Sequence, residues 1–263
     1  MAPLMEGSRA ALDLQARGLL GWHGLQAGTL RQDFRSRAGK LLAHAGALCL
    51  VLTGPDGIPW GLKVRNLGTP SDLQTAGLDR YVYRLAAHGA PAWCSPEYGH
   101  GNALLIVEGE LNGAAASRAL LASGLALDVQ GLAGAGGVPH LKGMAGRVVY
   151  LYADPDPAGL SCIERVGQLA QAAGAAEVRV LTSLEAGDFC DLLGRRGAAA
   201  SGYCLRDLLN RSELWQSCNT GKTGLPQIKA APSEEKTELW QCGTTSQGWT
   251  ATDGGWGINR GGW

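Results

Sequence analysis

The sequence predicts an α/β protein in which a parallel sheet covered by helices follows a small basic α+β subdomain and precedes a disordered tail. Three observations predict it. Between residues 103 and 195, unbroken apolar runs alternate with helical segments, the signature of parallel strands buried on both faces. Ahead of them, two apolar runs flank the turn Gly54-Pro55-Asp56-Gly57, a hairpin signal. From 212 onward the pattern collapses into Gly, Thr, Ser, Gln and isolated tryptophans. The expected units are therefore 1–102, 103–211 and 212–263.

In order along the chain, the first forty residues carry apolar positions at Leu12, Leu14, Leu19, Leu20, Leu25 and Leu30, interrupted by glycines, and read as one or two short helices. Arg31, Arg35, Arg37 and Lys40 would lie on one helical stretch, a candidate phosphate track or a solubilising face. Residues 47–67 form the hairpin, whose second strand puts Lys63 and Arg65 at period two and thus on one face. RYVYRL (80–85) is a further short strand with Arg80 and Arg84 on one side. Residues 103–107, 125–129, 147–153 and 177–181 are the apolar strands of the second unit. Helices are expected over 112–123, around 139–144, over 157–173 and over 188–195, and a glycine-rich loop spans 131–137. Right-handed crossovers put the C-terminal ends of all four strands on one edge. The tail has too little apolar content for a core of its own; Trp215, Trp240, Trp249, Trp256 and Trp263 could stack on bases or dock on a partner, or be an inert extension.

An apolar fraction of 45% over 263 residues is ample for a core. With 23 basic and 23 acidic residues the formal charge is zero, so nothing global draws the chain to nucleic acid or membrane. Residues 1–103 carry ten Lys/Arg against seven Asp/Glu, and 104–212 nine against eleven. The seven cysteines are scattered without a C-x-x-C pair, which excludes a zinc ribbon within this chain. There is no signal-peptide pattern and no run near the ~18 apolar residues a bilayer span needs. A cytoplasmic protein with reduced thiols and no membrane partner is expected.

The acids carry the chemistry. Glu108 directly follows the first apolar strand in LLIVEGELN, and Asp154 and Asp156 directly follow the third in VVYLYADPDPAG. In a doubly wound sheet, residues past neighbouring strand ends line one crevice. Crowded carboxylates repel unless a cation neutralises them. Mg²⁺ takes one or two protein carboxylates and completes its shell with water and phosphate oxygens, which suits phosphoryl transfer. Pro155 and Pro157 stiffen the loop around Asp156. Asp156 also stands where a helix N-cap belongs, with proline at the first helical position.

The pair E-G-x-x-N and D-x-D-x-x-G, each after an apolar strand and before a helix, resembles the TOPRIM domain, a Rossmann-like unit shared by DnaG-type primases, topoisomerases, overcoming-lysogenization nucleases and recombination mediator proteins. The resemblance spans 103–211. It implies that Glu108 is the catalytic glutamate and that Asp154 and Asp156 hold Mg²⁺ or Mn²⁺ with it. Asn112 stands where primases often carry an aspartate; its amide can still bind, with one negative charge fewer. EAGDFCDLL resembles the acidic segment after the fourth strand of primases and makes Asp188 a metal-ligand candidate, with Asp191 behind it, alongside an N-cap role. GIPWGLKVRNL and DRYVYRLAAHGAPAWCSP resemble the basic subdomain ahead of TOPRIM in primase cores, and QARGLLG the opening of phage and plasmid primase-like proteins. By that resemblance Lys63, Arg65, Arg80 and Arg84 contact nucleic acid or nucleotide.

The resemblance implies a DnaG-type phage- or plasmid-like primase core that makes short RNA primers on single-stranded DNA from nucleoside triphosphates. A separate replicative helicase and a separate zinc-binding module would then be partners. Two readings stand beside it: a metal-dependent nuclease using the same acids, and a non-catalytic nucleic-acid-binding module of a replication assembly. No Walker motif is present, so an ATPase-coupled nuclease would lack its motor here.

Overall fold

The computed structural model describes residues 1–86, 91–181, 184 and 187–217, the first of these segments without its last three side chains. The chain begins with α1 (Arg9–Ala16), capped by the Ser8 side chain, which accepts from the Ala11 amide. A second early helix does not form. Gly18 and Gly21 adopt positive φ and end the helical run, and the chain continues as β1 (Ala27–Thr29), β2 (Phe34–Arg35) and β3 (Leu41–Ala43). The basic stretch 31–40 is therefore not helical: β2 and β3 pair as a small antiparallel hairpin, and Arg31, Arg35, Arg37 and Lys40 are exposed on and around it.

The expected hairpin is present as β4 (Leu48–Thr53) and β5 (Pro59–Arg65). After α2 (Pro70–Thr75), closed by a Thr69/Asp72 capping box, β6 (Tyr81–Ala86) returns along β5. The first sheet is antiparallel with order β1-β4-β5-β6.

The second sheet is built from β7 (Trp93–Cys94), β8 (Ala103–Glu108), β9 (Leu127–Leu132), β10 (Val148–Tyr152), β11 (Glu177–Val180) and β12 (Glu213–Leu214), in the spatial order β12-β11-β10-β8-β9-β7. Its four central strands are parallel as expected, and both edges are closed by antiparallel strands. Those edges move two boundaries. Trp93 and Cys94, assigned by sequence to the first unit, pair with Gly131 and Gln130. Residues 213–215, assigned to the tail, pair with β11, and the Trp215 ring lies against Gly167. The rest of the expected tail, from 218, lies outside the described residues.

The crossover helices are α3 (Glu110–Ala122), α4 (Pro157–Ala172) and α5 (Phe189–Asn210). The last runs well past the expected end because it bends at Gly197, with φ of 73°, and continues. The stretch 139–144 forms turns and no helix. Period two along β8 divides the core. Leu104 and Ile106 pack with Cys162, Val166 and Ala170 of α4, while Leu105 and Val107 pack with α3 and α5. The second of these cores also takes in Leu14 of α1 and Leu48, Leu50 and Leu52 of β4, so the two sheets share one apolar interior.

Candidate functional site

Strand pairing brings the acids to one edge. β8 and β10 are parallel neighbours with Val107 opposite Tyr152, so Glu108 and Ala153 are the next residues in register and Asp154 follows by one. Adjacent strands lie ~4.8 Å apart. After Glu108 the chain must turn at once into α3. Gly109 makes that turn at a φ of 87°, with its amide on the Leu132 carbonyl at 3.1 Å. After Asp154 the turn is tighter still: a Cβ on Gly159 would lie 1.9 Å from the Asp154 carbonyl oxygen, so the first turn of α4 rests directly on the acidic loop.

The expected acids do different work. Asp156 caps α4, accepting from the Gly159 amide at 2.7 Å, and Asp188 caps α5, accepting from the Asp191 amide at 2.8 Å. Both have the N-cap role that their sequence positions suggested. Two helix N-termini, with their partial positive charge, thereby close on the acidic edge. Glu108 and Asp154 carry the strain. Burial first, then the charges of Asp154 and Asp156, push the Glu108 carboxyl above its ordinary value, with the backbone N–H groups of Asp154 and Ala135 offsetting part of the rise. Asp154, though largely open to solvent, is raised in the same direction, by its partial burial and by the charges of Asp188 and Asp156. Oε2 of Glu108 is buried with no hydrogen-bond partner.

A buried, donorless carboxylate oxygen amid like charges fits a hard cation. Among the described residues, no three His, Cys, Asp or Glu side chains are placed to hold an ion by themselves. Mg²⁺ or Mn²⁺ would need only one or two of these carboxylates, its shell being completed by water and phosphate. Glu108 and Asp154 would be the ligands.

The expected basic residues fare differently. Lys63 and Arg65 share a face, as period two requires, but that face points inward. Lys63 pairs with Glu110 at 2.7 Å, with both side chains almost fully buried, and its ammonium sits 4.1 Å from the centre of the Tyr81 ring. Arg65 pairs with Asp13 at 3.3 Å and donates to the Tyr81 hydroxyl. These two cations are internal counter-charges and not surface phosphate ligands. Arg80 is half-buried, and the Arg84 side chain lies outside the described residues.

Asn112 is also tied up within the fold. It donates to the Glu108 carbonyl at 3.3 Å and accepts the Cys190 amide at 3.2 Å, which joins the start of α3 to the start of α5. Sequence reasoning missed Glu110, Asp13 and Arg165. Glu110 could have been suspected: it opens a helix of Ala, Leu and Gly that is buried nearly all round, where an acid needs a cation.

The acids thus stand at the carboxyl edge of a parallel sheet that is joined to a small antiparallel sheet, an α/β fold. Solved structures narrow this class. The chain superposes on the RNA polymerase domain of Mycobacterium tuberculosis primase DnaG in complex with double-stranded DNA with a TM-score of 0.52 and 15% identity, over 80% of this chain and 75% of that one. It superposes on a DnaG primase catalytic domain bound to single-stranded DNA with a TM-score of 0.53 and 12% identity, over 79% and 74%. Its fold is that of a DnaG-type primase catalytic core. Against the longer Aquifex aeolicus primase fragment, with zinc-binding and RNA polymerase domains, the TM-score is 0.45 at 17% identity; the match takes in 64% of this chain and only 41% of that one. No family model and no curated protein sequence matches the chain. Among the described residues no helix is long and apolar enough to cross a membrane.

Proposed function

We propose that the chain is a primase-like nucleotidyltransferase of the TOPRIM type, making short RNA primers on single-stranded DNA with Mg²⁺ or Mn²⁺. The observation that carries this reading is the buried, unpartnered Oε2 of Glu108 beside Asp154, at the sheet edge of a chain with a primase-core fold. A cation held there would neutralise the triphosphate and favour in-line displacement. Glu108 and Asp154 bind and orient it. Asp156 and Asp188 fix the helices whose N-termini border the edge. The exposed hairpin with Arg31, Arg35, Arg37 and Lys40 offers positive charge for template phosphates, since Lys63 and Arg65 are committed inside. A helicase and a zinc-binding module on other chains would supply unwinding and template choice.

The test is incubation with single-stranded template, Mn²⁺ and labelled ribonucleotides. Labelled primers are expected from the wild type and none from Glu108→Gln, whose fold, followed by circular dichroism, stays intact. Undiminished synthesis by Glu108→Gln removes that residue from the mechanism. Loss of template without nucleotides would identify a nuclease, and binding without turnover a non-catalytic module.

A further inference from the structure

We propose that Arg165 is a positioning residue for the acidic edge, acting through the glycine-rich loop between β9 and β10; this rests on reading Glu108 as a cation ligand. One terminal nitrogen of the Arg165 guanidinium donates to the Ala135 carbonyl at 2.8 Å and to the Gly137 carbonyl at 2.7 Å. From the other side, the Tyr83 hydroxyl of β6 donates to the Ala133 carbonyl at 3.3 Å. Within the loop, the Gly137 amide closes a turn onto the Gly134 carbonyl at 2.8 Å. The segment 133–137 is thus held at both ends by side chains from two different elements.

What the clamp holds in place matters for Glu108. The gripped loop starts directly after Leu132, which pairs with Glu108 across β8 and β9 and accepts the Gly109 amide at 3.1 Å, so the segment whose Ala135 and Gly137 carbonyls Arg165 holds leaves the sheet beside Glu108. Oε2 of that carboxylate remains buried with no hydrogen-bond donor. Arg165 also stands on the helix that starts directly after Asp156, eight residues beyond Pro157 and so ~12 Å along the axis. The same rigid helix therefore carries the Asp154–Asp156 loop at its head and the loop clamp two turns on. Glu108 and Asp154 are set relative to each other twice: by strand pairing beneath them, and by α4 through the loop above. Ligand-orienting groups of this kind tune cation affinity without touching the ion.

The experiment uses the full chain as wild type, Arg165→Met and Arg165→Lys. Two quantities are read: amide hydrogen exchange of residues 133–137 without metal, and the Mn²⁺ dissociation constant by electron paramagnetic resonance. In Arg165→Met, faster exchange at Ala135 and Gly137 is expected, with Mn²⁺ binding weakened roughly 10- to 100-fold. Arg165→Lys, which retains a donor, recovers part of both, and it carries the comparison alone should the methionine variant not fold. Unchanged Mn²⁺ affinity in Arg165→Met, or in Arg165→Lys where only that variant folds, reduces Arg165 to a structural contact and overturns the proposal. A wild type that binds no Mn²⁺ overturns the cation reading itself and this inference with it.

Discussion

Two clusters of charge lie within a few residues of each other, and they are built on opposite terms. At the sheet edge, Glu108, Asp154, Asp156 and Asp188 are of one sign; the first two are pushed toward protonation, and one buried oxygen of Glu108 has no partner. Two residues further along, Glu110 of α3 turns inward and meets Lys63 of β5, while Asp13 of α1 meets Arg65 of the same strand, opposite signs paired between helices and sheet. The second cluster is electrostatically closed within the fold. On the proposed reading the first is closed by a cation, which would distinguish a binding site from a strut made of the same residue types.

The comparison breaks hardest at the strut. Lys63 and Glu110 are each almost fully buried, and removing one partner leaves the other charge stranded. Lys63→Met or Glu110→Leu alone is expected to cost about 3–5 kcal/mol in urea unfolding, and the double substitution to return most of that loss. Additive losses in the double variant would mean that the two side chains do not act as a pair.

At the acidic edge the expected change has the other sign and depends on pH. Glu108 and Asp154 have folded-state values raised above the ordinary carboxylate range. Below that range both carboxyls are protonated folded and unfolded, and they cost nothing. As pH rises through the ordinary range to the raised folded values, the repulsion grows, and above them it is fully present. Mn²⁺ should relieve it. A concentration near 100 times the dissociation constant stabilises by about 2.7 kcal/mol, and the shift in Tm should be larger at pH 8 than at pH 5. Metal-free Asp154→Asn should be more stable than wild type by under about 1 kcal/mol, since that side chain is exposed and screened, and it should lose most of the Mn²⁺ response. A Tm shift equal at both pH values, or intact in Asp154→Asn, would argue against a shared ion.

How much of this was legible follows from what each feature depends on. The parallel strands and the acidic edge were, because unbroken apolar runs followed at once by Glu108 and Asp154 are local patterns with one topological consequence. The hairpin 48–65 was too, since Gly54-Pro55-Asp56-Gly57 permits little else. The inward turn of Lys63 and Arg65 was not: period two assigns a shared face but not which face is buried, and the deciding residues, Glu110 and Asp13, lie 47 and 52 positions away. The edge strands β7 and β12 escaped notice because two residues carry no periodicity. The basic stretch 31–40 was misread as helical because its charges recur at spacings that suit either form, and Gly18, Gly21 and Gly39 decide between them.

Asn112 offers the finest division between the two clusters, because it belongs to the acidic edge by position while its side chain, like the strut's, is partnered within the fold. Its oxygen accepts the Cys190 amide, one of the N–H groups in the first turn of α5 that has no acceptor within its own helix, and its nitrogen donates to the Glu108 carbonyl. If that is its whole role, Asn112→Leu should cost about 1 kcal/mol or slightly more through the lost bonds. Asn112→Asp keeps an acceptor for Cys190 and puts negative charge at a helix N-terminus, so its unfolding free energy should lie within about 0.5 kcal/mol of wild type. In the primer assay the aspartate variant should also keep the wild-type KM for ribonucleotides. A KM raised in Asn112→Asp at unchanged stability would instead make the amide a nucleotide contact, and would move Asn112 from the closed cluster to the open one.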